Sequence, residues 1–500
     1  MIRSRIPFAA ACAGTLLSGC LYHPAYERPA LPVPQNWSAG QPAGAPAANN
    51  WWQEFKDPRL LQLLDQATAN SPDLQIAADR VLLARDALKG ARSHEYPSLS
   101  INALPPDPVY TQALAINNGR QLDLDTNLYA VSLDASYELD FWGRVSNSVK
   151  AAKSDYQASV FDAGTAAIGL RSEIARAYFD VRELDEEIAL SAQRNALVGE
   201  RLRLARLRQA AGRIGAAPVL EAELAERDAQ AQAAALQTSR SETVNALAVL
   251  IGVNPESLDI APAPLRTTVT APMPPQGLPS AMLERRPDIR AAEAHLIAAH
   301  AEIEVARAEM FPQVSLTAKY GFVAESVHAL VFKSSSIVGA GPIVSYSMFD
   351  GGRLSAQSDA SKRRYDLLLA EYRKSIYAGF ADVEKSLLSY QSASADEARW
   401  AGARDLQGAQ LQRLDQSLAA GRLSRFELIA AQQQALDVEL AAARSYRDRL
   451  DSMVALYQAL GGGWDPATLT LPADAPAEKH GDAPATGPAA ADNAVAPTTP

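Results

Sequence analysis

Two stretches of about 70 residues, 141–211 and 352–420, contain no proline. In the first, Val145, Val149, Ala152, Tyr156, Val160 and Ala163 begin a series that continues through Ala167, Leu170, Ile174, Ala177, Val181, Leu184 and Ile188. The steps are of three and four residues, which is the seam of a coiled coil. At 1.5 Å per residue each stretch makes a rod of about 100 Å. Many seam residues are alanine, which lets helices approach closely but supplies little core, so such a rod requires neighbours.

The chain is also a tandem duplication, the first thing to establish in a chain of 500 residues. Ser71-Pro72-Asp73-Leu74 matches Arg286-Pro287-Asp288-Ile289, and Arg92 with Pro97 matches Arg307 with Pro312, at an offset of 215. Further on the offset is 209, pairing Gly143-Arg144 with Gly352-Arg353 and Ala211-Gly212-Arg213-Ile214 with Ala420-Gly421-Arg422-Leu423. Gly252 pairs with Gly461 in the same way. Each half reads as a helix opened by proline with an acid in its first turn, then two strands, then a long helix, a glycine turn and a returning helix.

The strands alternate. Tyr129, Val131, Leu133, Ala135, Tyr137, Leu139 and Phe141 share one parity, against Leu128, Ala130, Ser132, Asp134, Ser136, Glu138 and Asp140 on the other. Val314, Leu316, Ala318, Tyr320 and Phe322 alternate with Ser315, Thr317, Lys319 and Gly321. One face is wet and one apolar. A soluble sandwich strand has this pattern too; the aromatics, the strand length and the amino terminus favour an outer-membrane barrel. No stretch after Cys20 offers about 18 uninterrupted apolar residues, so a membrane crossing requires strands closed into a barrel.

The amino terminus is basic at Arg3 and Arg5, apolar from Ile6 to Leu17, and then reads Leu17-Ser18-Gly19-Cys20. That is a secretory leader, and its last four residues resemble the lipobox of bacterial lipoproteins, in which the cysteine takes acyl chains. Cys12 lies within the leader, so Cys20 alone remains and no internal disulfide can form. Leu21, in place of an aspartate, favours the outer membrane. The formal charge is −10, and losing Arg3 and Arg5 makes it −12. An acidic chain is a poor partner for nucleic acid.

Catalytic motifs are missing. His295 and His300 are five residues apart, not the three or four of a helical metal pair, and Gly339-Ala340-Gly341-Pro342 lacks a phosphate-loop lysine. Most carboxylates are expected on solvated helix faces beside arginines. The chain is expected to be no enzyme and to carry no cofactor or metal.

Tyr26-Glu27-Arg28-Pro29, Trp51-Trp52-Gln53-Glu54-Phe55 and Asn70-Ser71-Pro72-Asp73-Leu74 resemble the start of an outer-membrane factor. The type is the NodT-like efflux lipoprotein serving resistance-nodulation-division tripartite pumps. Tyr137-Glu138-Leu139-Asp140-Phe141-Trp142-Gly143-Arg144, Phe349-Asp350-Gly351-Gly352-Arg353 and Ala459-Leu460-Gly461-Gly462-Gly463-Trp464 are similar to signatures of the same family. The resemblance runs from about Cys20 to Trp464 and implies an α+β membrane protein. Three chains, each giving four strands, would close one β-barrel continuous with a long periplasmic α-helical barrel. It also implies a periplasmic adaptor, an inner-membrane pump, and lipidation at Cys20 in the outer membrane.

The expected organisation is a leader at 1–19, an anchor and first helices at 20–97, strands at 98–141 and a helical hairpin at 142–252. A linker at 253–286, a helix at 287–311, strands at 312–350, a hairpin at 351–461 and a disordered tail at 462–500 follow. The expected function is a passive duct for small molecules such as drugs or toxic compounds. The alternatives are a non-conducting periplasm-spanning scaffold and the exit duct of a type I secretion system. The turns Gly212-Arg213-Ile214 and Gly421-Arg422-Leu423-Ser424 are candidate docking tips for the adaptor, although a helix stop copied by duplication gives the same motif. The family closes its duct just inside the second tip. There Glu427 matches a family acid and Ala430 replaces a second one, for which Glu221 of the first half could substitute. Arg422 and Arg425 are candidates to bridge these carboxylates; equally, Glu427 suits a first-turn acid favoured by the helix dipole.

Overall fold

The computed structural model describes residues 26–38, 40, 49–104, 129–275, 279–324, 326–331 and 335–465. Cys20 and the tail from 466 lie outside the described residues.

The first α-helix of the described residues is α1 (Pro58–Asn70), whose first turn is capped by the Asp57 carboxylate accepting from the Arg59 and Leu60 amides. The first half continues with α2 (Pro72–Ser93), β1 (Ser98–Leu104), β2 (Tyr129–Glu138), α3 (Arg144–Ala210) and α4 (Ala217–Ile251). The second half follows with α5 (Pro287–Ala308), β3 (Gln313–Ala324), β4 (Ser336–Ser345), α6 (Arg353–Ala419) and α7 (Arg425–Ala459). Between the halves the described residues form short helices, Leu265–Thr268 and Pro279–Arg285 among them. Corresponding elements keep their lengths: 22 residues in α2 and α5, 67 in α3 and α6, and 35 in α4 and α7.

The first rod starts three residues later than Phe141, because a built corner precedes it. Asp140 accepts from the Val145 and Ser146 amides, Gly143 takes a left-handed φ of 76°, and Arg144 forms a double hydrogen bond with Glu138 at 2.6 and 2.7 Å. Asp350 does the same in the second half, accepting from the amides of Gly352 and Leu354. Each corner turns a strand into a helix and satisfies amides that would otherwise be orphaned.

Helix α3 packs along α4, α2, α5 and α7, while α6 packs along α7 and α5. Helix α5 therefore sits between the two rods. The largest apolar core gathers at their waist, where Trp51, Phe55, Tyr178, Phe179, Leu247 and Ile251 are fully buried.

The waist is the exception to the expected solvated carboxylates. Arg182, Glu183, Asp185, Glu186 and Glu187, all on α3, are buried rather than solvated. The linker between the halves covers Arg182, Asp185 and Glu186, while α7 meets Glu187 and Glu183 through Arg444 and Arg447. Arg182 donates to the Ala261 carbonyl at 2.6 Å, Arg240 donates to Asp185 and to the Ile260 carbonyl, and Arg266 spans Glu186 and Glu439. Buried charge is tolerated because these carboxylates meet arginine or backbone donors.

Candidate functional site

The four strands form one antiparallel sheet in the order β1-β2-β3-β4. Its register puts residues of like character side by side. Ile101 pairs with Leu133, Leu133 with Tyr320 and Tyr320 with Val338, so one face is apolar across all four strands. Leu99, Ile101, Leu133, Leu316, Tyr320 and Val338 are all exposed on it. A band of that breadth facing outward calls for an apolar surrounding. The opposite face carries a polar chain: Asn102 donates to Asp134 at 2.6 Å, Ser132 donates to the same carboxylate at 2.9 Å, and Lys319 stands 3.7 Å away. Among the described residues the outer edges of β1 and β4 have no partner strand.

At the far end of the rods each hairpin turns on a glycine with a φ of 68°, Gly212 in one and Gly421 in the other. The Arg213 amide returns to the Arg208 carbonyl and the Arg422 amide to the Ser417 carbonyl. These are left-handed helix stops that satisfy the last carbonyls. Arg213 and Arg422 are exposed, and Leu423 and Ser424 half-buried. Ile214 packs on Leu202, Ala205, Val219 and Ala222.

Just inside the second tip, Ser424 and Glu427 form a capping box. The Glu427 carboxylate accepts from the Ser424 amide and hydroxyl, both at 2.8 Å, and these bonds hold it below the usual glutamate range. Arg425 turns away from it and grips Glu200 on α3 through two bonds, at 3.0 and 2.8 Å. That pairing pushes the arginine up and the glutamate down. Glu221 is exposed on α4. Within one chain, then, neither Glu427 nor Arg425 engages the other. Glu200 escaped sequence reasoning, since its partner lies 225 residues along the chain. Phe426, flanked by Arg201 and Arg208 at 5.1 and 5.0 Å, was missed for the same reason.

His295 meets Asp155 at 3.0 Å, and His300 lies among the rings of Tyr26 and Tyr365. Among the described residues no group of three or more His, Cys, Asp and Glu is placed to hold a metal ion.

The sequence pattern of the outer membrane efflux protein family matches residues 63–253 and again 278–462, one match per half. The pyoverdine export outer membrane protein OpmQ of Pseudomonas aeruginosa is 32% identical over 460 residues, covering 90% of this chain and 95% of that protein. The solvent efflux pump outer membrane protein SrpC of Pseudomonas putida is 30% identical over 457 residues, covering 90% and 96%. Among solved structures, the outer-membrane channel OprN superposes with a TM-score of 0.77 at 25% identity, covering 89% of this chain and all of that one. The open state of the Neisseria gonorrhoeae MtrE outer membrane channel gives 0.76 at 27%, covering 89% and 98%. The chemistry of the outer membrane efflux proteins is transport and not catalysis. By pattern, length and fold alike, this chain belongs to the outer membrane efflux protein family.

Proposed function

We propose that three copies of this chain form one closed β-barrel continuous with a periplasmic helical barrel, through which small molecules leave the cell passively. The observation that supports the reading is the sheet: one face is apolar from β1 across to β4, the other carries Asn102, Ser132, Asp134 and Lys319, and among the described residues neither edge has a partner strand. Four strands are too few to close on themselves. Because the strands alternate in direction, β4 of one copy meets β1 of the next antiparallel, so head-to-tail addition closes a ring and removes every edge. The resemblance to the family supports three as the number.

The energy for export comes from an inner-membrane resistance-nodulation-division pump, coupled through a periplasmic adaptor that docks at the Gly212 and Gly421 tips. The rim closes at rest through the segment containing Glu427, with Glu221, Arg422 and Arg425 as the other charged groups of the mouth. Cys20 carries the lipid anchor. A pore-free scaffold has no use for an exposed apolar sheet face, and the similarity to efflux proteins favours small cargo over the protein cargo of a type I secretion duct.

Purified protein reconstituted in planar lipid tests this. Discrete single-channel steps, with a mass near three protomers by light scattering in detergent, are expected. A monomer that inserts without conductance would refute the duct. Mass spectrometry of the mature amino terminus tests the anchor, and an unmodified Cys20 removes it.

A further inference from the structure

Among the described residues the four strands carry three charged side chains, Asp134 and Glu138 on β2 and Lys319 on β3. All three belong to the polar face, since Asp134 and Glu138 share a parity and Lys319 pairs directly with Asp134. In the closed ring proposed above, with the apolar face turned to lipid, the polar face lines the passage. The charge a solute meets along the strands therefore depends on how these three side chains are partnered.

Glu138 lies at the helix end of β2, where the paired bonds from Arg144, at 2.6 and 2.7 Å, match its carboxylate fork and cancel its charge. Asp134 is held differently. Asn102 of β1 donates to it at 2.6 Å and Ser132 at 2.9 Å, so two neutral donors fix its position without cancelling its charge. The positive charge comes from Lys319, whose ammonium stands 3.7 Å away, too far for a good hydrogen bond. The Lys319 side chain is 51% exposed and that of Asp134 27%.

The strand on the other side of Lys319 leaves it room to move. Its register partner on β4 is Gly339, and that of Thr317 is Gly341. A Cβ at either glycine would meet nothing within 4 Å. Beside the lysine, then, the polar face of β4 is bare backbone. A compact ammonium on a flexible four-carbon stem can swing across that space while the carboxylate stays in place.

We infer that Lys319 is a tethered counter-ion for a fixed Asp134, and that the pair lets small solutes of either charge pass mid-barrel, leaving charge selection to the periplasmic rim. The inference rests on the duct proposed above and deepens it. Three copies put three fixed carboxylates and three movable ammonium groups at one level of the passage. A cationic solute meets Asp134 as the lysine swings aside, and an anionic one meets the lysine itself. Without the lysine, three uncompensated carboxylates would concentrate cations and repel anions.

The test is the reversal potential of channels in planar lipid under a potassium chloride gradient, with light scattering giving the assembly mass of each variant. Lys319→Met should raise the potassium-over-chloride permeability ratio severalfold, and Asp134→Asn should lower it severalfold. The double variant should return to the parental ratio. Both single shifts should shrink between about 0.1 M and about 1 M salt, because the Debye length falls from about 10 Å to about 3 Å. Lys319→Cys gives a second route on channels already assembled, with the parent treated alike as the control. An aminoethyl methanethiosulfonate reagent rebuilds the positive charge and should restore the parental ratio, whereas the sulfonatoethyl reagent should push it further toward cations. Parental ratios in both single variants, shifts of the same sign, or a cysteine variant indifferent to the charge of the reagent overturn the inference and leave the pair holding the β2–β3 register alone. A parent protein that forms no channel overturns the duct itself.

Discussion

Arg425 at the start of α7 donates two parallel hydrogen bonds to Glu200 of α3, tying the two hairpins of one chain together a single turn above the tip. Both side chains are near the surface, so the pair adds less than about 1 kcal/mol to folding. Its effect is on which way the hairpin leans. Arg425→Ala and Glu200→Gln should each raise resting conductance severalfold in planar lipid, and the melting temperature should barely move. Parental conductance in both variants would place the restraint elsewhere.

Glu427 offers a way to separate charge from capping. Glutamine can still bond back to the Ser424 amide, so Glu427→Gln removes charge and keeps the box. Reduced cation selectivity is expected from reversal potentials in asymmetric salt. Unchanged selectivity would reduce Glu427 to a helix cap.

Gly421 and Gly212 face open space, since a Cβ at either meets nothing within 4 Å. Only the left-handed backbone opposes substitution, at roughly 1–2 kcal/mol. Valine at either glycine should therefore leave assembly and localisation intact while distorting the tip and abolishing efflux in a drug-susceptibility assay. Full efflux from both variants would mean the glycines are helix stops and nothing more.

The waist should give a pH signature of unusual sign. Burial pushes Glu183 up to about 7 and Asp451 up to about 6, against the opposing pull of Arg447. The folded chain thus holds these protons more tightly than the unfolded chain does, so their contribution to stability rises as pH falls from about 7 toward the ordinary carboxylate range. Glu183→Gln with Asp451→Asn should flatten that part of the melting-temperature profile between pH 7.5 and 5. A double variant whose profile parallels the parent's would refute the assignment.

Gly164 lies beneath the Trp464 indole, and a Cβ there would come within 2.4 Å of the ring. Gly164→Ala should cost about 1–3 kcal/mol as overpacking. Trp464→Leu in the same chain should recover part of that loss in a denaturant titration; strictly additive losses would show that the contact carries no strain.

The sequence by itself determined the elements and their order. Proline at N1 of α2 and α5, strand alternation, proline-free rods and glycine stops are local signals, and duplication states each of them twice. It also carried the family. The tertiary structure alone decided which charges meet. Glu183 and Glu187 read as surface acids because helical spacing records position on one helix and not what packs against it, and the arginines that meet them, Arg447 and Arg444 of α7, lie 264 and 257 residues along the chain. The same holds for Arg425, whose sequence neighbours offered Glu427 as a partner. The backbone at the start of α7 spends that carboxylate on its own free amide, leaving the arginine to find Glu200 across the seam between the hairpins.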